Sequence, residues 1–209
     1  MKKNYFFSFS FILFLFYFSC KKNEESGNVN DKITTEKDKI FTGEDKIIAE
    51  KVDLLYQNYG KEGLSSEPIY SKPIIKDLFN TDLEKDLNKV KEITEINRKK
   101  IENSANPTDK PFILEGATFT SLYEGYTSYK IKGIEYTENV NPVGSAALVT
   151  VQLENSKVTP QAAWMDTIYF VKPLNNSWKI DNIVFDNKLS GVKDLKTNLN
   201  IFILQNNQL

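Results

Sequence analysis

The sequence predicts an α+β fold: N-terminal helices packed on a curved four-stranded antiparallel meander, followed by a short C-terminal helix. Three observations carry this. Before Pro107, apolar residues recur at helical spacing. From Thr127 the period drops to two, in four segments rich in Tyr, Val, Ile, Phe and Trp. Helices first and strands afterwards is the order of an α+β chain, not of alternating βαβ units.

The elements follow in order. "TGEDKIIAEKVDLLYQNYG" reads as a helix, with Thr42 as N-cap, Glu44 and Asp45 in the first turn, and Ile48, Val52, Leu55 and Tyr59 as its inner stripe. Gly60 stops it. "SKPIIKDLF" reads as a short helical piece. "TDLE", Thr81 to Glu84, fits a capping box and opens a long helix. Its stripe is Leu83, Leu87, Val90 and Ile93 or Thr94, and Glu95 and Lys99 stand four apart with favourable polarity. The strands are "TSYKIKGIEYTE", "GSAALVTVQLE", "AAWMDTIYFVK" and "NSWKIDNIVFD", with "PLNN" (173–176) as a hairpin turn. In the last, Trp178 and Ile180 share one phase while Ile183 and Phe185 share the other. A slip at Asp181 and Asn182 predicts a bulge that bends the strand. A final helix is expected from near Ser190, using Val192, Leu195, Leu199 and Phe202.

Composition narrows the chemistry. With 27 Lys+Arg against 28 Asp+Glu, the net charge of −1 gives no basic face for nucleic acid. The chain has no histidine and one cysteine, Cys20. Ser-His and Cys-His catalysis, intramolecular disulfides and thiolate metal clusters are therefore excluded. No phosphate loop, paired metal ligands or nucleophile elbow is visible, so no cofactor and no metal is expected.

The first twenty residues speak to location. Lys2 and Lys3 precede an apolar run from Phe6 to Phe18, the length of a signal-peptide core and short of a membrane span. Ser19 and Cys20 follow, and the chain turns polar with "KKNEESGNVNDK". This order resembles a bacterial lipoprotein signal, although Tyr17 and Phe18 stand where that family usually carries Leu and a small residue. The resemblance implies residues 1–19 as a signal peptide and Cys20 as the lipidation site. Residues 20–42 are then a flexible tether and 43–209 a single domain. "KKNEES" resembles the export signals of some Bacteroidetes surface lipoproteins, and Lys21 stands where an inner-membrane retention aspartate would. Both favour the outer membrane of a bacterial cell envelope.

"WMDTIYFVKPLNNSWKIDNIVFD" resembles the closing hairpin of cone-shaped nuclear-transport-factor-2-like (cystatin-like) domains. "DKPFILEGATFTSLYEG" resembles a segment of the YbjP/YqhG-like domain of unknown function 3828, a family of bacterial lipoproteins. The resemblance implies a sheet and helices enclosing a cone whose open end often holds a ligand. On that expectation Asp166, in phase with Trp164 and Ile168, is a desolvated general acid or base if that phase faces the cavity, against a phase that faces solvent or a carboxylate in a fixed hydrogen bond. Asp181, at the bulge, is the second carboxylate candidate, against satisfaction of loose backbone N–H groups. Trp164, Glu115, Tyr123, Tyr126 and Tyr129 are the candidates to line a mouth, against ordinary core and rim packing.

The leading functional expectation is a membrane-tethered, non-catalytic domain that binds a protein or small-molecule ligand. The alternatives are a small isomerase or hydratase using Asp166 with a tyrosine, and an immunity-type protein that binds a secreted toxin. Folds of this kind host many functions, so the site must decide.

Overall fold

The computed structural model describes residues 41, 43–60, 69–140, 144–173 and 177–206, without the side chains of 70 and 138–140. Helix α1, Gly43–Asn58, buries Ile48, Val52, Leu55 and Tyr56 along one stripe. It ends where Gly60 adopts φ +72°, and a Cβ there would stand 3.3 Å from the Tyr126 ring. The expected cap Thr42 lies outside the described residues. The "SKPIIKDLF" segment is not helical. One 3₁₀ turn, Ile69–Ser71, precedes extended backbone around Pro73, and Asp77 takes φ +61° in a tight turn. Proline holds its predecessor extended and removes a donor, which is why the helix does not propagate.

Helix α2, Thr81–Glu102, buries the expected stripe Leu83, Leu87, Val90, Ile93 and Thr94, and Asn97 extends it. Its cap is Asn80 rather than Thr81: the Asn80 side chain accepts from Leu83 N at 2.8 Å and its carbonyl from Glu84 N at 2.9 Å. Tertiary structure selects that residue, because Asn80 N donates to Ile180 O at 2.8 Å and fixes the chain one position earlier. Helix α3 is Leu195–Asn206, starting later than near Ser190. Ser190 closes its own loop onto Val192, and Phe185 N donates to Lys193 O at 3.0 Å, drawing residues 193–194 to the sheet edge. Asp194 then caps, accepting from Thr197 N at 2.7 Å.

The strands β1 (Ser128–Val140), β2 (Gly144–Asn155), β3 (Ala162–Lys172) and β4 (Lys179–Val184) form one antiparallel sheet in that order. The turn residues 174–176 lie outside the described set. Opposite Phe170 stands Ile180 and opposite Tyr169 stands Asn182, so Asp181 is the extra residue of a bulge at the expected place. The slip turns Ile180 and Ile183 to the same buried face. A second bulge, at Lys132, was not anticipated: Ile131 faces Val151 and Gly133 faces Thr150.

Side chains stand perpendicular to a flat sheet, and β1 and β4 would be about 14 Å apart across three strand spacings. Yet Tyr136 of β1 and Trp178, just before β4, have ring centroids 5.8 Å apart. The two rings, from opposite edges of the sheet, meet over the start of α1. There Glu44 pairs with Lys172 at 2.8 Å and accepts from Trp178 Nε1, while Asp45 accepts the Tyr136 hydroxyl at 2.6 Å. Helical stripes and the inward residues of the sheet share one apolar cluster, including Val149, Val151 and Leu153 with no exposed surface. Each such side chain contributes roughly 1.5–3 kcal/mol by leaving water. Among the described residues no helix is long and apolar enough to cross a membrane.

Candidate functional site

Asp166 faces inward, opposite Val151 and in phase with Trp164 and Ile168, and has no exposed surface. Its carboxylate is enclosed by donors. Ser121 N donates at 3.0 Å, Thr120 Oγ1 at 3.1 Å, Trp164 Nε1 at 3.2 Å and Asp186 N at 3.3 Å, and Ser121 Oγ donates as well. The donors lock one another: Trp164 Nε1 also donates to Thr120 Oγ1 at 3.1 Å, and Asp186 N to Ser121 Oγ at 2.7 Å. Burial pushes the Asp166 carboxyl above the usual aspartate range, while bonds from Ser121, Trp164 and Thr120 pull it back. Both oxygens carry structural bonds, which is the fixed-hydrogen-bond alternative for this residue. The Asp166 charge reaches Tyr56, buried on α1, whose hydroxyl ionisation is opposed first by burial and then by that charge.

What Asp166 holds is the long segment between α2 and β1. Residues 117–121 of that segment run into the interior. The Phe119 ring lies 4.8 Å from Tyr59 and 5.6 Å from Phe79, and Thr120 and Ser121 close on Asp166. The chain then returns to the surface, where Ala117 N donates to Tyr123 O at 2.9 Å across the base of this inward loop. Connections of this length without regular secondary structure are uncommon inside a compact domain.

The predicted mouth residues separate into three places. Glu115 and Tyr123 are exposed and together: the Tyr123 hydroxyl donates to Glu115 Oε2 at 3.5 Å, and Lys110 forms an ion pair with Glu115 Oε1. The bond from Lys110 holds the Glu115 carboxyl below the usual glutamate range. Tyr126 is buried and donates to the carbonyls of Tyr56 and Tyr59, the latter at 2.7 Å. Tyr129, half-buried on β1, donates to Asp53 Oδ1 at 2.8 Å. Both phenols are raised, first by burial. They fasten α1 to the start of β1 and the residues leading into it. Trp164 is buried with Asp166.

Asp181 is used for assembly. It pairs with Lys196 Nζ at 2.7 Å and accepts from Asn80 Nδ2, while Asn182 Oδ1 accepts from Lys196 N at 3.1 Å. The bulge thus aims two side chains at the starts of α2 and α3. A surface groove of about 550 Å³ lies between α2 and α3, lined by residues such as Asp86, Lys89, Glu92 and Asn200, and holds none of the predicted site residues. Among the described residues no group of three or more Cys, Asp or Glu is placed to hold a metal. Cys20 lies outside the described residues.

Sequence reasoning missed Thr120, Ser121 and Asp186 as the partners of Asp166, and Gly116 as the seat of Tyr123. Gly116 has φ +76°, and a Cβ on it would lie 2.5 Å from Tyr123 Cδ2. The signal present was the pattern Glu-Gly followed by "ATFTS", a glycine beside a small-polar run in an aromatic stretch.

Fold and site together define an α+β domain in which a buried carboxylate positions a surface loop. No family model, curated protein or solved structure matches the chain.

Proposed function

We propose that this chain is a lipid-anchored protein of the bacterial cell envelope, held through Cys20 to the outer membrane, whose folded domain binds a ligand or partner without catalysis. The observation that carries the non-catalytic part is the state of Asp166, a sheet carboxylate facing the interior, whose oxygens are occupied by five fixed donors. A general acid or base needs a lone pair or proton free for substrate. The meeting of Tyr136 and Trp178, from opposite edges of the sheet, over the start of α1 supports the cone-shaped, nuclear-transport-factor-2-like reading, and kinship with the YbjP/YqhG-like lipoproteins rests on the resemblance of "DKPFILEGATFTSLYEG".

Two measurements test it. Cys20→Ala releases the protein from the membrane fraction; unchanged retention would replace the lipid anchor with an uncleaved apolar one. Pulldown from membranes in mild detergent recovers the same binding partner with wild type and with folded Asp166→Asn. A turnover activity abolished by that substitution in a folded protein would establish the enzyme reading instead.

A further inference from the structure

β1 ends the sheet. It pairs with β2, and among the described residues no strand lies along its other side from Ser128 onward. Alternate residues of a strand aim their backbone groups at opposite sides. Thr127 N donates to Glu154 O, toward β2, at 2.7 Å, and Tyr126 N turns the other way, to Gly60 O at 3.4 Å. Gly60 thus closes the outer side just before the strand begins. The inward side chains of β1 are correspondingly unfinished. Val149, Val151 and Leu153 of β2 have no exposed surface, whereas their partners Ile134, Ile131 and Tyr129 are only partly buried on the same core. Tyr136, opposite Ala147, is 45% exposed.

An open edge is a template for another strand, and bulges and lysines commonly blunt it. In β1 both fall where a second copy of the same strand accommodates them. Because the bulge at Lys132 shifts the alternation, Tyr129, Ile131, Ile134 and Tyr136 share the inward face, and Lys130, Gly133 and Glu135 the outward one. Turn the strand antiparallel to itself about a two-fold axis between Lys132 and Gly133. Inward Ile131 then stands opposite Ile134, and Tyr129 opposite Tyr136. Outward Lys130 stands opposite Glu135. A slip of one residue would set inward Ile131 against outward Gly133 or Glu135. Lys132 meets Gly133, where the absent side chain leaves open space, so no two lysines oppose each other. The basic half of each strand therefore lies along the acidic residue of the other. Lys130 keeps the interaction it has within its own chain; the sign of its charge is enough, since opposite charges across a strand pair attract and like charges repel.

We propose that the open edge of β1 pairs antiparallel with the same edge of a second copy of this chain, joining two four-stranded sheets into one. The contact is isologous, so each of these pairs occurs twice. It goes beyond the reading of the domain as a binding module and does not depend on it.

The test uses the full chain in mild detergent. At about 50 µM it sediments with two chains per particle, and dilution separates them. Glu135→Lys sets lysine against lysine twice and weakens association about tenfold. Adding Lys130→Glu to that chain restores it, as only an isologous pairing allows. Glu135 is exposed, so Glu135→Lys keeps its unfolding midpoint within about 2 °C of wild type. The register has its own readout, because the axis sets Ser128 opposite Thr137. Ser128→Cys and Thr137→Cys proteins, mixed and mildly oxidised, give several-fold more disulfide-linked dimer than either gives alone, and the separate samples account for Cys20. One chain per particle at that concentration, association unmoved by Glu135→Lys, or a mixture no more cross-linked than its components overturns the proposal. A membrane protein recovered equally by wild type and Glu135→Lys leaves the binding domain standing whether or not the strands pair.

Discussion

Replacing Asp166 separates a structural carboxylate from a catalytic one by stability alone. In Asp166→Ala the Ser121 N–H loses its acceptor in a buried site, which costs about 1–3 kcal/mol. Trp164 Nε1 keeps Thr120 Oγ1 at 3.1 Å, and Asp186 N keeps Ser121 Oγ at 2.7 Å, so two donors survive with one acceptor each. Losing the bonds to a charged acceptor adds to the cost, and relief of a desolvated charge subtracts from it. The net expectation is a loss of about 2–4 kcal/mol, or about 5–12 °C in Tm for a domain of this size. Asn retains an acceptor for Ser121 N and Trp164, but its amide N–H₂ then meets Asp186 N–H, so about 1 kcal/mol is lost. The order wild type, Asn, Ala is measured by urea unfolding followed by circular dichroism. An alanine variant as stable as the asparagine variant would refute the anchoring role. The pH dependence gives a second reading. Burial raises the folded carboxyl above its ordinary 3.8, so the folded state holds the proton more tightly than the unfolded chain. That contribution is complete below 3.8 and is lost as pH rises through the folded value. The lead of wild type over Asp166→Asn is therefore greatest in acid and narrows toward neutral pH, and a lead that widens with pH would contradict the assignment.

Two further outcomes follow from charges elsewhere. Asp181→Ala removes the 2.7 Å pair with Lys196 and the bond from Asn80 in a mostly buried corner, costing about 1–2 kcal/mol. In a double-mutant cycle with Lys196→Ala the two losses are not additive; additivity within about 0.5 kcal/mol would mean the bulge does not tie the helix starts together. Glu95 is exposed on α2, where bonds from Arg98 and Lys99 hold its carboxyl at about 2. Whatever stability this cluster contributes is present above 4.5 and lost as pH falls through about 2. Carboxyl-carbon NMR should show that midpoint, moving upward in molar salt; a midpoint near 4.5 at low salt would show the pairs to be absent in solution.

Much of the fold was legible because it is periodic. The stripe from Leu83 to Thr94 and the alternation of Val149, Val151 and Leu153 record which face meets the core, since burial repeats with the geometry of helix and strand. The phase slip at Asp181 was readable for the same reason. Ends were less so: Asn80, Thr81 and Ser190 all suit a cap, and contacts with Ile180 O and Lys193 O decide which residue leads each helix.

The sequence by itself determined the class of fold, the alternation of faces along the strands, the phase that Asp166 shares with Trp164 and Ile168, and the chemistries lacking their residues, since no histidine exists to perform them. Only the tertiary structure decided what those residues do. Tyr123, Tyr126 and Tyr129 stand at equal spacing, yet one lies open against Gly116, one is buried on backbone carbonyls and one bonds Asp53. Asp166 meets donors 45 and 46 residues before it and 20 after it. A carboxylate becomes an anchor or an acid according to what surrounds it. Those surroundings are assembled from distant parts of the chain, so no local pattern records them.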